Sequence, residues 1–93
     1  MNGTENMTVS RKAVALKYEP ERDRAPRVVA RGERKLADKI LELSQKSGVP
    51  IFEDEVLAEL LYPLAPGEAI PKELYEPVAK ILAYVIRFYR REG

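Results

Sequence analysis

The sequence contains no cysteine and no histidine. Without cysteine there is neither a disulfide framework nor a thiolate metal site, and without histidine the commonest general base and the commonest neutral metal ligand are both missing. Tryptophan is absent as well, and Asn and Gln are scarce. That scarcity, with a charged fraction of 33%, leans toward the composition of a thermophile protein. No run of 18 apolar residues occurs, and the opening MNGTENMTVS lacks the basic and apolar regions of a signal peptide. The expectation is a soluble, cytoplasmic chain. Lys and Arg number 16 against 15 Asp and Glu, so a net charge of +1 creates no field that draws the molecule to nucleic acid or an anionic membrane. Proteins are the expected partners.

What is present is 93 residues, enough for one domain that buries roughly 60 to 65% of the surface its unfolded chain exposes. Residues 1–8 show no periodicity and read as a tail, leaving 9–93 as the domain. In Lys12-Ala-Val-Ala-Leu-Lys-Tyr18 both alternating faces carry apolar or small residues, the pattern of an interior strand. Residues 19–26 hold two prolines and five charges and form a loop, and Arg27-Val-Val-Ala-Arg31 is a second strand that would pair with the first as a hairpin. Residues 7–11 are a candidate extra edge strand.

Leu36, Ala37, Ile40, Leu41 and Leu43 then recur on one helical face, ended by Ser47-Gly48. Val49-Pro-Ile-Phe52 reads as a short third strand, and Asp54 as the N-cap of a helix that turns Val56, Leu57, Leu60 and Leu61 inward. A last helix starts near Pro71 with Leu74, Val78, Ile81, Leu82 and Val85 as its core stripe; Pro77 must kink it or reset its start. The order predicts an α+β fold, a small mixed sheet of three to four strands covered by three helices.

Candidate chemistry is thin. Glu53-Asp54-Glu55 is the densest carboxylate cluster, but consecutive side chains at a junction point apart and better suit a helix N-terminus than a hard cation. Ser10, Ser44 and Ser47 have no histidine to activate them, and Asn6 sits in the tail with nothing to hold an attack geometry. Tyr84, Arg87, Phe88, Tyr89, Arg90 and Arg91 interleave rings with cations, which suits base stacking and phosphate contacts. The same pattern suits a terminal helix whose cations favour its negative dipole end. No catalytic residue, metal, cofactor or small-molecule substrate is expected.

The stretches AVALKY, APRVVARG, VPIFED, LAELLY and IPKELYEPVAKILAYV, in this order, strongly resemble the cytoplasmic C-terminal domain of the flagellar export protein FlhB and its injectisome counterparts, from about Ala13 to Val85. That family carries Asn-Pro-Thr-His just before the first-strand motif, and the Asn amide cleaves the chain. Here Thr8, Val9, Ser10 and Arg11 stand in its place, with no amide at Thr8. The resemblance therefore implies a stand-alone, membrane-free, non-cleaving and non-enzymatic relative. It implies export substrates and cytoplasmic parts of the export gate as partners, with the membrane met only through that gate. The family's substrate-segment patch maps to Ala25, Pro26, Ala79 and Leu82; the alternative is that Leu82 belongs wholly to the core. Glu55-Val56, Glu59 and Pro77 depart from the family's residues, and a charge reversal at Glu59 would alter partner choice if its carboxylate is exposed. Two other roles stay open: nucleic-acid binding through the Arg-rich helix, and a purely structural gate subunit.

Overall fold

The computed structural model describes residues 11–92, and side chains for 11–90. Strands β1 (Lys12–Lys17) and β2 (Arg27–Glu33) pair antiparallel, Val14 opposite Arg31 and Ala15 opposite Ala30. Between Ala15 and Leu16 the register slips, Leu16 facing Val28, so Val29 is an extra bulged residue. The two faces of this ribbon are unlike. One presents Ala13, Ala15, Ala30 and Gly32, small enough for helix α1 (Lys35–Lys46) to lie close against both strands. A Cβ built on Gly32 would stand 2.3 Å from Leu36 Cγ, and Ala37 is wholly buried there.

The other face carries Val14, Leu16 and Val28 into the core. Its centre is Val28, Leu61, Leu64, Ile70 and Val78, contributed by β2, by helix α2 (Glu55–Leu61), by the following loop and by the approach to helix α3 (Ala79–Glu92). The fold is α+β with three helices.

Local chemistry explains most boundaries. Asp23 closes the hairpin loop by accepting from Glu19 N–H at 2.9 Å and from the Arg27 guanidinium at 2.5 Å. Arg34, at φ 58°, turns β2 straight into α1; its N–H still reaches Arg11 C=O at 2.7 Å. At the far end Gly48, with φ 74°, permits the paired bonds Gly48 N–H to Gln45 C=O and Val49 N–H to Ser44 C=O. The Asp54 carboxylate caps α2 through Leu57 N–H at 3.1 Å.

Three expectations need correction. Residues 49–52 form no strand, and the sheet among the described residues has two strands rather than three or four, with one isolated bridge between Arg27 and Ala69. A strand needs a partner edge, and a groove separates this segment from β1. Leu36 and Leu43 on α1 and Val56 on α2 stay exposed; on α1 it is Ala37 that is wholly buried. The chain after Pro71 makes only a 3₁₀ turn, Lys72–Leu74; Pro77, lacking an N–H, postpones the α-helix to Ala79. Residues 7–10 of the candidate edge strand lie outside the described residues.

Candidate functional site

Ala25 and Pro26 end the hairpin loop, and both are buried, Ala25 retaining 5% of its exposure. The Pro26 carbonyl accepts from Ile70 N–H at 3.0 Å, which ties this loop to the core segment before α3. Ala79, the first residue of α3, is exposed, while Leu82 is half-buried against the central cluster. Of the four patch residues, then, Ala79 and part of Leu82 are exposed, while Ala25 and Pro26 are buried. Leu82 divides its side chain between core and exterior.

Thr8, Val9 and Ser10 lie outside the described residues. Arg11 is exposed and pairs with Asp38 at 3.1 Å across the start of α1. Glu59 is not a loose surface charge. Its carboxylate accepts from Lys12 Nζ at 2.9 Å, and this hydrogen bond, ahead of the general attraction, raises the Lys12 pKa above 10.5. The Lys12 ammonium and the Arg31 guanidinium both stand over the Tyr62 ring, at 5.4 and 5.2 Å from its centroid. Arg31 also donates to Tyr62 C=O, so β1, β2 and the end of α2 meet in one cluster of charge and ring.

Along α3 the aromatic rings are engaged with protein. Phe88 and Tyr89 pack edge to face at 5.0 Å, Tyr89 O–H donates to Leu16 C=O at 3.3 Å, and Tyr84 meets Phe52 edge to face at 4.8 Å. Arg87 and Arg90 border a shallow hollow of about 390 Å³ with Ala83 and Ile86. These two guanidinium groups form a cationic strip along α3.

A second concavity was not legible in the sequence. A groove of about 980 Å³ opens along the edge of β1 that faces away from β2, walled by α1, residues 49–55, α2 and α3. Ile40, Leu41, Ile51, Leu57, Val85 and Phe88 are among its apolar lining. In an antiparallel ladder hydrogen-bonded and non-bonded pairs alternate. The Arg34-to-Arg11 bond sets the phase: Ala13 and Ala15 direct backbone groups at β2, while Lys12 and Val14 direct theirs into the groove. The Leu16 carbonyl points the same way, to Tyr89.

Comparison with known proteins places this architecture. Residues 10–85 match the FlhB HrpN YscU SpaS family. The chain is 46% identical over 80 residues to the uncharacterized protein YlqH of Bacillus subtilis, covering 86% of each. It is 44% identical over 75 residues to the flagellar biosynthetic protein FlhB of Aquifex aeolicus, covering 80% of this chain and 21% of that one. The chain thus spans about a fifth of the FlhB relatives it matches. Among solved structures, a mutated EscU C-terminal domain superposes with a TM-score of 0.74 at 28% identity, covering 82% of this chain and 93% of that one. The cytoplasmic domain of FlhB from Shewanella putrefaciens gives 0.72 at 37% identity, covering 81% and 63%.

Proposed function

This chain belongs to the FlhB HrpN YscU SpaS family, and from that premise we propose that it is a non-catalytic, cytoplasmic protein-binding module of flagellar type III export. It receives export substrates, or docks on parts of the export gate, in the manner of the detached C-terminal domain of an FlhB. The observation that carries this reading is the joint match of sequence and fold over most of the chain to FlhB and EscU C-terminal domains. Two features of the chain support the rest. Thr8 has a hydroxyl where family cleavage needs an amide, so the chain persists uncut. Ala79 and the outer part of Leu82 offer a small apolar surface at the start of α3, and the buried Pro26 is tied to Ile70 in the segment that leads to that helix. A short apolar peptide element can rest there without reorganising the core.

The test is affinity capture from a lysate of the native organism with the wild type, Ala79→Asp and Leu82→Asp as baits, read by mass spectrometry. Flagellar substrates or gate proteins should be recovered by the wild type and reduced at least several-fold by Ala79→Asp, which sits on the surface and spares the core. Equal recovery by all three baits removes the patch. Recovery of nucleic-acid-associated proteins alone removes the export role.

A further inference from the structure

We propose that the outward face of α1, where Leu36 and Leu43 stand bordered by Lys35 and Lys39, docks an amphipathic helix of a partner protein whose apolar side is flanked by Asp or Glu. This rests on the protein-binding reading and adds to it a surface on a different helix from Ala79 and Leu82.

Burial and periodicity mark the face. Leu36 and Leu43 keep 55% and 53% of their exposure, although Ala37 on the same helix is wholly buried. They stand seven residues apart and therefore share one line of the helix, about 10 Å long at roughly 1.5 Å rise per residue. Half-buried Ile40 stands beside that line on the side of the groove. The apolar stripe of α1 thus continues past its packing into solvent. Backbone chemistry then selects a helix as the occupant. Within α1 the N–H and C=O groups are spent on one another, so this face has no free backbone group for an extended segment to pair with. A segment laid against it must satisfy its own backbone, and a helix does so while setting its side chains between Leu36 and Leu43.

Charge selects the flank. Lys35, Lys39 and Lys46 form a ridge along the stripe, on the side away from Ile40. Lys46 is answered by Glu42 at 3.5 Å, while Lys35 and Lys39 are exposed and make no ion pair among the described residues. Lys35 opens α1, where the helix dipole disfavours a cation, so the dipole does not account for it. Carboxylates on the flank of an incoming helix do. A second copy of the chain does not supply them: with antiparallel helices the ridge meets itself, and with parallel helices Lys39 meets Ser44. The exposed carboxylates of Asp38 and Glu42 on the same helix oppose a uniformly anionic membrane surface.

The experiment uses the full chain and a fluorescein-labelled helical probe of about 18 residues, roughly 27 Å of helix, with Leu at the a and d positions of its heptads, Glu at e and g, and Ala or Gln elsewhere. A second probe carries Lys in place of every Glu. Anisotropy should show binding of the acidic probe, with the basic probe at least tenfold weaker. Leu43→Gln should weaken the acidic probe several-fold. Lys39→Glu, a change at an exposed position, should weaken the acidic probe and strengthen the basic one. Equal binding of the two probes, no binding of either at about 1 mM, or a Lys39→Glu variant that leaves both affinities unchanged overturns the proposal. So does a wild type that sediments as a dimer beside a Leu43→Gln variant that sediments as a monomer, which gives the face to a second copy. Pelleting with phosphatidylserine vesicles that Leu43→Gln abolishes overturns it too, and gives the face to a membrane. Failure here leaves the export reading to be decided by the Ala79→Asp capture, since Leu43 and Lys39 lie on α1 and that surface lies on α3.

Discussion

Lys12 holds a strand edge, a helix and a ring with one ammonium, and its behaviour with pH follows from that. Its folded pKa lies above the ordinary 10.5, through the hydrogen bond it donates to Glu59 first. A raised lysine pKa contributes stability that is fully present below the unfolded value and is lost as pH rises through the folded value. Lys12→Met should therefore melt below the wild type from about pH 7 to about pH 10, with the gap closing at higher pH. Paired thermal melts across that range measure it; a gap that persists unchanged at the alkaline end assigns the effect to packing of the side-chain stem instead. The 47-residue separation of Lys12 and Glu59 hid this pair from the sequence. The Asp54 cap spans three residues and was readable there, because its donor is fixed by the helix it starts.

Elements are held by the contrast between the two faces of the hairpin. Gly32 has no side chain because Leu36 occupies its place: an added Cβ would meet Leu36 Cγ at 2.3 Å and Leu36 Cβ at 2.8 Å. Gly32→Ala should destabilise by about 1 to 3 kcal/mol as α1 is pushed off the sheet. Adding Leu36→Ala, which removes the nearer atoms, should recover part of the loss in urea melts; strictly additive losses would show that the strain lies elsewhere. The hairpin, the three helices and the stop at Gly48 were legible because each rests on local periodicity or turn chemistry. The strand expected at 49–52 was not resolved by such reasoning, since β-pattern residues become a strand only when another edge arrives. Pro77 was ambiguous for a related reason: its missing N–H either kinks a helix or delays its start, and only the structure, with Val78 buried and the helix beginning at Ala79, shows the delay.

At the scale of the whole molecule, a net charge of +1 and engaged aromatic rings argue against nucleic acid. A labelled single-stranded oligonucleotide should bind no more tightly than the non-specific range of about 10⁻⁴ to 10⁻⁶ M at physiological salt. Submicromolar affinity that falls steeply with added salt would restore that reading. The exposure of the four proposed patch residues was not readable from the sequence, because the loop that carries Ala25 and Pro26 is tied to Ile70, far along the chain. The groove was beyond sequence reasoning altogether, as an unfilled space has no residue pattern of its own.

The Tyr89 hydroxyl on the Leu16 carbonyl gives that space a measure of length. Counting from Lys12, it sits at the fifth residue of β1, where the last turns of α3 cross the strand. The phenol marks one end of the groove, and it latches the last turns of α3 to the hairpin at the residue where the β1–β2 register slips.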